Sequence, residues 1–445
     1  MAESSPQEAS YVLCPSGHRG VKGIAQCTRC NLPIILYEKD LAESIERFAS
    51  LSKEFTKPKL LFPIGLGLWG SKLLFTTLST HEYRSVNFGT IGASSADLQS
   101  FASSIAQRNS KEGAERILKR INHPIKLTVD KMGGLWGQAE GAAKKDVALV
   151  EMVNVIGLRE TEDDQVAILA GALGEGLVAG VAPYFASTIK ERSPNSSRIF
   201  FGILPSGDDP EQAQFNAYSG LARLAKSNID VVVIMQGTSL INLKGILRSG
   251  NEIGPDKLLP IMFDLLLGDD IDNIQEFARL SRSFRVQVYT PIFAYGRSHE
   301  IYEGLANILE HANYNLISPF NADSVVLSAA SIRVPAGVLG RVGRDSLEEQ
   351  FNAWSKKKFP SLRGTSLRIL TKDEPSDRLD VLLLLGGTKL DSILQPIREG
   401  YEDLKSHIES MDLWDEYNMT KEELNDIDDT ISKHDKRLAQ LIRKK

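Results

Sequence analysis

The chain has 445 residues and a mass of 49.0 kDa, enough for two or three domains with buried cores. Hydrophobic residues make up 42% and charged residues 24%, a balance that excludes global disorder. The formal net charge of −5 argues against nucleic acid as the main partner. No apolar run approaches the ~18 residues of a membrane span, and the first ten residues lack the features of a secretory signal. We therefore expect a cytoplasmic protein without a transmembrane segment.

All three cysteines lie in residues 11–31. Cys14, His18, Cys27 and Cys30 supply four thiolate and imidazole ligands, the set that tetrahedral structural zinc prefers. The pattern predicts a structural Zn²⁺ knuckle, and such knuckles bind proteins or nucleic acids. Free thiols in a flexible N-terminus are the alternative. Three cysteines cannot form a disulfide framework, which is consistent with a reducing compartment.

From residue 57 onward, apolar strands alternate with amphipathic helices. The pattern predicts strands at 60–64, 86–91, 198–205 and 229–236, a strand entering a glycine-rich turn over 165–176, and helices at 96–106, 113–121, 181–192 and 211–226. This alternation indicates a parallel sheet covered on both faces. After residue 245, helices at 257–268 and 298–312 and strands at 286–296, 324–332, 366–372 and 378–386 indicate a smaller α+β domain.

Three glycine-rich segments stand beside predicted strands or helices: GLGLWG (65–70), MGGLWGQAEG (132–141) and AGALGEGLVAGVAP (170–183). Backbone amides in such loops, together with a helix dipole, hold phosphate groups. The first segment fits the dinucleotide fingerprint G-x-G-x-x-G. That fold also requires an acid after the second strand, where this chain has IGASS (91–95), so an NAD-dependent oxidoreductase is disfavoured.

The order and spacing of these segments resemble the FtsZ/tubulin superfamily, particularly its archaeal tubulin-like branch, over about residues 38–395. The resemblance implies an α/β fold in which a three-layer parallel-sheet nucleotide-binding domain is joined by a central helix to a smaller α+β domain. It also implies GTP or GDP with Mg²⁺ as cofactor and head-to-tail self-association into filaments. The predicted parts are a disordered start (1–10), the zinc knuckle (11–31), a linker helix (38–57), the GTPase-like domain (58–245), the central helix and trans-acting loop (246–285), the α+β domain (286–395) and a helical tail (396–445).

The resemblance places a set of residues around the nucleotide. Phosphate-binding positions correspond to Gly67, Gly70, Ser71, Gly134, Gly137, Gly174, Glu175, Gly176 and Gly180. Asn216 matches a position near the ribose and base, and Gln236 keeps an amide where the family has a guanine-reading asparagine. Glu175 departs from the family pattern because its carboxylate would repel nucleotide phosphates. A loop kept for packing but unable to hold a triphosphate is the alternative.

In this superfamily, hydrolysis is completed by acids that one subunit presents to the nucleotide of the next. The corresponding stretch is GDDIDNIQEFARL (268–280), which places Asp270, Asp272 and Gln275 at the catalytic positions. It keeps one acid, Asp272, and has the amide Gln275 where the family has the second. An acidic helix start that favours the helix dipole is the alternative.

The C-terminal segment begins with a capping box, Thr420 to Glu423, and continues as an apolar seam at heptad spacing. The seam consists of Leu424, Ile427, Ile431, His434, Leu438 and Leu441. Packing against the body, a partner or self-association helix, and a membrane-surface helix are the three interpretations.

Two functional hypotheses follow. The first is a filament-forming, GTP-binding cytoskeletal protein with slow hydrolysis between subunits. The second is a scaffold of the same fold that binds no nucleotide and recruits protein partners through its zinc knuckle and tail.

Overall fold

The computed structural model describes residues 12–13, 19–20, 26, 60–78, 88–92, 95–106, 121–125, 134–146, 149, 165–227, 229–240, 243, 245–246, 252–268, 271–312, 317–372 and 378–443. The chain divides into two units, Met1–Pro58 and Lys59–Lys445. In the first unit, Val12–Leu13 pairs antiparallel with Arg19–Gly20. The predicted zinc ligands and linker helix lie outside the described residues, as do residues 113–120 of the helix predicted at 113–121, whereas Ile121 begins a strand instead.

A ten-stranded sheet organises the second unit. Its strands are β1 (Leu60–Leu66), β2 (Phe88–Ile91), β3 (Ile121–Ile125), β4 (Gln165–Ala172), β5 (Ser197–Leu204), β6 (Val231–Gln236), β7 (Val288–Arg297), β8 (Leu327–Pro335), β9 (Gly364–Lys372) and β10 (Arg378–Gly386). Their spatial order is β9-β8-β10-β7-β6-β5-β4-β1-β2-β3. A further short ribbon pairs Gly245–Ile246 with Glu252–Ile253.

Helices cover both faces of this sheet. They are α1 (Gly67–Leu78), α2 (Ser95–Ala106), α3 (Trp136–Lys145), α4 (Gly176–Arg192), α5 (Glu211–Lys226), α6 (Gly237–Leu240), α7 (Pro255–Leu267), α8 (Ile271–Phe284), α9 (Leu305–Glu310), α10 (Ala336–Val342), α11 (Arg344–Lys358), α12 (Leu390–Leu394), α13 (Arg398–Met411), α14 (Trp414–Tyr417) and α15 (Lys421–Arg443). Short 3₁₀ turns occupy Ser298–Tyr302, Ala322–Ser324 and Gln395–Ile397.

Strands β1 to β6 are parallel to one another, as the apolar runs predict. All six residues of β6 are buried, because helices pack on both sides of it. Strand β7 continues the sheet through a short parallel pairing with β6 and then pairs antiparallel with β10. Beyond β10 lie β8, which pairs antiparallel with it, and β9, which pairs parallel with β8. The expected α/β architecture is confirmed, and the strands of the smaller α+β part extend the same sheet.

Two apolar cores lie on opposite faces of the parallel strands, and a third surrounds β7, β8 and β10. The first core includes α4, α5 and the C-terminal helices, and the second includes α1, α7 and α8. This arrangement gives the three layers that strand–helix alternation predicts.

Helix boundaries differ most from prediction at the glycine segments. No loop separates β1 from α1, because the helix begins at Gly67, whose φ of 66° provides the turn. Helix α4 begins at Gly176, five residues before the predicted start, and contains Pro183. Proline cannot donate to the carbonyl four residues earlier, and the Arg223 guanidinium donates to that Ala179 carbonyl at 3.1 Å instead. The predicted helix at 298–312 is a 3₁₀ turn followed by α9, with Gly304 at φ 119° between them.

Candidate functional site

The candidate site lies at the carboxyl ends of the parallel strands. The order of the first six strands, β3-β2-β1-β4-β5-β6, places the switch in winding direction between β1 and β4. Open α/β sheets bind ligands in the crevice at this point. Helix α1 begins directly after β1, and the turn at Gly174 and Glu175 connects β4 to α4. The predicted phosphate segments therefore converge on one end of the sheet.

The Glu175 side chain reaches the start of α1. Its carboxylate accepts a hydrogen bond from the backbone N–H of Leu68 at 3.3 Å and a long one from that of Trp69 at 3.5 Å. First-turn amides have no partner within their own helix and carry the positive end of the helix dipole. Burial raises the pKa of the Glu175 carboxyl, and these two backbone amides oppose the rise less strongly. The chain's own carboxylate thus occupies an anion-binding helix start.

Two glycines permit these close approaches. A Cβ on Gly67 would stand 1.9 Å from the Glu175 Oε2 atom, so a larger residue would displace the carboxylate, and the φ of 66° itself favours glycine. A Cβ on Gly176 would stand 1.9 Å from the carbonyl oxygen of Gly134, so this glycine lets the segment before α3 lie on the start of α4. The space that these glycines leave is filled by the protein itself.

Asn216, on α5, connects two of the glycine segments. Its Oδ1 accepts from the Trp136 N–H at 2.9 Å, and its Nδ2 donates to the carbonyls of Gly134 and Gly174 at 3.2 and 3.3 Å. The side chain is buried, and this set uses one acceptor bond and both amide hydrogens. The residue predicted near the ribose therefore holds the start of α3 beside the turn before α4.

The remaining predicted phosphate residues lie at contacts within the protein. Gly70 packs α1 against the Ala170 carbonyl, and Gly180 packs α4 against the backbone of α3. Gly137 lies against the backbone carbonyls of Tyr417 and Asn418. The remaining two are Gly174, half-buried beside Ala213, and the fully buried Ser71, whose hydroxyl donates to the Gly65 carbonyl at 3.5 Å.

At the other end of the site, the C-terminal segment covers the ends of β5 and β6. The Gln236 side chain, 7% exposed, donates from Nε2 to the carbonyl of Ile393 at 3.2 Å. Gly207, in the turn after β5, lies so close to Pro396 that a Cβ would be 2.7 Å from its carbonyl oxygen. The amide predicted to read a base is therefore bonded to α12.

The helices after α12 continue this cover. Helix α13 packs on α5, where the Tyr401 ring stacks on Tyr218 with centroids 3.9 Å apart. The capping box predicted at the start of α15 is present, with the Thr420 hydroxyl accepting from the Glu423 N–H at 3.2 Å. Asn418, between α14 and α15, donates to the Gly137 carbonyl at 2.9 Å.

The predicted seam faces the protein body. Leu424, Ile427, Ile431 and Leu438 are each at most 5% exposed, whereas His434 and Leu441 are half-buried. The tail therefore packs against the protein body, as the first interpretation predicts. Its buried apolar side chains are not available to a partner helix or to a membrane surface.

The structure describes only some of the residues predicted to act on the nucleotide of the next subunit. Asp270 lies outside the described residues, and Asp272 is placed by its backbone alone, in the first turn of α8. Gln275 is 3% exposed, so its side chain faces the interior. Their predicted catalytic role is untested.

No cluster of potential metal ligands occurs among the described residues. Cys14, His18, Cys27 and Cys30 lie outside them, and the zinc knuckle stays a prediction. Within the described part of the chain, no helix is long and apolar enough to cross a membrane.

Sequence reasoning missed Arg223 and α12. Arg223 lies 3.9 Å above the Trp136 ring and pairs with Glu140. Arg223 lies on the polar side of the amphipathic pattern at 211–226, and such a position predicts an exposed side chain. Ile393 contributes a backbone carbonyl, which carries no side-chain signal at all.

Neither a protein-family model nor a curated protein matches the sequence. Solved structures do match the fold. CetZ1 from Haloferax volcanii, a GDP-bound monomer, is 15% identical with a TM-score of 0.59 over 78% of this chain and 99% of its own. CetZ2 from the same organism, a GTPγS-bound protofilament, is 18% identical with a TM-score of 0.58 over the same shares. A variant of FtsZ from M. jannaschii is 14% identical with a TM-score of 0.55 over 78% of this chain and 96% of its own.

These identities establish the fold alone. The matches cover 78% of this chain and nearly the whole length of each solved structure. The chain therefore has the tubulin/FtsZ-like fold of CetZ and FtsZ.

Proposed function

We propose that this protein is a tubulin-like cytoskeletal scaffold that self-associates without binding or hydrolysing GTP. The observation that carries the proposal is that the C-terminal segment covers the ends of β5 and β6, where the resemblance places the guanine base. There the Gln236 amide is bonded to the Ile393 carbonyl, and Pro396 lies against Gly207. A purine at this position would first have to displace α12 and the 3₁₀ turn after it.

The contacts of Asn216 support the same proposal. A side chain that donates to ribose must keep an N–H free for the ligand, whereas Asn216 donates both of its amide hydrogens to backbone carbonyls of its own chain. Self-association is supported by the likeness to CetZ2, which is described as a protofilament. Head-to-tail addition repeats one heterologous contact without closure and produces a filament.

Sedimentation tests this proposal. Full-length protein is centrifuged with magnesium alone, with GTP and magnesium, and with GTP and EDTA. We expect the same pelleted fraction in all three samples, because assembly depends on protein surfaces only. Pelleting that requires GTP would contradict the proposal, and so would a chain that stays monomeric at every concentration tested.

The second candidate is a GTP-binding filament protein with slow hydrolysis, in which Asp272 and Asp270 act on the nucleotide of the next subunit with Mg²⁺. It is favoured by the convergence of the segments at Gly67, Gly134 and Gly174 on one sheet end. Phosphate release separates the candidates. The scaffold predicts none above a buffer control, whereas slow GTP hydrolysis that is lost in Asp272→Ala supports the second candidate.

We also propose that the N-terminal unit holds one structural Zn²⁺ through Cys14, His18, Cys27 and Cys30, and that this knuckle recruits a protein partner. Metal analysis of the purified chain should give about one zinc per chain. Cys27→Ser should lower this content without changing the unfolding of residues 59–445. An unchanged zinc content in Cys27→Ser would contradict the assignment.

A further inference from the structure

Helix α1 starts with two amides that an anion would bind, and a distant residue of the same chain reaches them. Glu175 lies 107 positions after Leu68 and belongs to the turn between β4 and α4. Ordinary N-caps come from the residue next to the helix, which here is the apolar Leu66. This contact is therefore tertiary and depends on the packing of β1 beside β4.

The surroundings of Glu175 are fitted to a carboxylate. Gly67 has a left-handed φ of 66°, and a side chain at this position would collide with Oε2. Behind the contact, α1 lies directly on β4 through Gly70. Because the helix and the β4–α4 turn both adjoin paired strands of the sheet, the Glu175 backbone stays within side-chain reach of the two amides.

We propose that the Glu175 carboxylate is an internal substitute for a phosphate group, held at the amides of Leu68 and Trp69. This inference rests on the proposed function, because it names the group that occupies the phosphate end of the pocket when no nucleotide is bound. Phosphate and the Glu175 carboxylate exclude each other there, since both are anions that need the same two amides. The wild-type chain has no vacancy at this point for phosphate.

Removal of the carboxylate should open an anion site. In Glu175→Ala the two amides lose their acceptor and a space of carboxylate size remains. Small anions that fit the space are acetate and inorganic phosphate. Glu175→Gln, by contrast, keeps a side chain of the same size with an oxygen acceptor, and no space opens.

The experiment measures thermal unfolding of the full chain against sodium acetate and sodium phosphate, with sodium chloride at matched ionic strength as reference. We expect a saturable rise of about 1–3 °C in the midpoint of Glu175→Ala. Wild type, Glu175→Gln and the control Glu211→Ala, which removes an exposed carboxylate from the start of α5, should show no rise beyond that in chloride. A response of Glu175→Ala no larger than that of wild type would overturn the inference.

A second measurement applies if Glu175→Ala does not fold. In ¹⁵N-labelled wild type, the amide resonances of Leu68 and Trp69 should shift together as the Glu175 carboxyl is titrated, and this shift should be missing in Glu175→Gln. Identical titrations in the two proteins would overturn the inference. GTP-dependent pelleting of wild type would instead contradict the proposed function while leaving the anion response of Glu175→Ala in place, so the two failures are distinguishable.

Discussion

The tetrapeptide GLWG occurs twice, at 67–70 and 134–137, and the two copies differ in their surroundings. Each copy lies at the start of a helix, and in each a distant side chain accepts a hydrogen bond from a backbone amide of that start. Glu175 does so for the first copy and Asn216 for the second. In the first copy Leu68 is 46% exposed, whereas the equivalent Leu135 of the second copy is 2% exposed.

The difference shows that tertiary context decides the role of identical residues. The second copy lies beneath α5 and the segment at Asn418, so its apolar side chains belong to the core. The first copy lies at the open end of the sheet and leaves Leu68 at the surface. In both copies, nevertheless, a side chain of the same chain accepts from an amide at the helix start. This is expected if the protein itself fills the space where a ligand would bind.

The largest expected effect is a difference in the free energy of unfolding between alanine variants of the two GLWG tryptophans, Trp136 and Trp69. Trp136→Ala should lower the free energy of unfolding by about 3–5 kcal/mol, because it removes a buried ring and the surface on which Arg223 lies. Trp69→Ala, at a half-buried position, should cost about 1–2 kcal/mol. Denaturant unfolding of both variants checks this, and equal losses would contradict the contrast between the copies.

The next largest effect on the free energy of unfolding is expected in α15, the helix of the C-terminal tail. Ile427→Ala should cost about 2–4 kcal/mol, since Ile427 is 1% exposed in the core shared by α5 and α15. The exposed Gln440→Ala on the same helix should change the free energy of unfolding by less than about 0.5 kcal/mol. If Ile427→Ala unfolds like wild type yet loses a binding partner, the seam serves a partner instead of the body.

Asn216 tests how the start of the second copy is held. Asn216→Ala should lower the free energy of unfolding by about 1–3 kcal/mol, because the buried Trp136 N–H and two half-buried backbone carbonyls lose their partner. Ser219→Ala is the matched control on the same helix, since that buried hydroxyl has no partner in the described part of the chain. A stable Asn216→Ala protein would contradict a structural role for this residue.

The smallest expected effect is a pH dependence at the first copy. Burial raises the pKa of Glu175 above its ordinary value, so the folded state holds this proton more tightly than the unfolded state does. The stability that this proton contributes is complete below the ordinary carboxyl pKa of about 4.3 and is lost as pH rises through the folded value. Wild type should therefore lose stability relative to Glu175→Gln as the pH rises from the ordinary carboxyl pKa through the higher folded one. Urea unfolding of both proteins across this range provides the measurement, and parallel curves would contradict the burial of Glu175.

Much of the fold could be predicted because it depends on local patterns. The amphipathic spacing of 211–226 gives α5 with the observed bounds, and the apolar run at 378–386 gives β10. The glycine-rich segments were expected to be loops, because glycine signals a turn in a sequence, whereas here Gly67 and Gly176 are the first residues of α1 and α4. Their role depends on atoms far along the chain.

The site was harder to predict for the same reason. Glycine spacing locates the segments that meet at the sheet end, but it does not tell whether a ligand or the protein fills the space beside them. The partners of Glu175 lie over a hundred positions away, and Gln236 bonds to a carbonyl 157 positions later. No periodicity in the sequence encodes contacts of that kind.

The nucleotide content of the native protein tests the central claim most directly. The full chain is purified without added nucleotide in a magnesium buffer, denatured, and its soluble fraction separated by anion-exchange chromatography against GDP and GTP standards. A pocket filled by Glu175 and the segment at Ile393 predicts far less than one guanine nucleotide per chain. Release of GDP or GTP in a ratio near one per chain would contradict it.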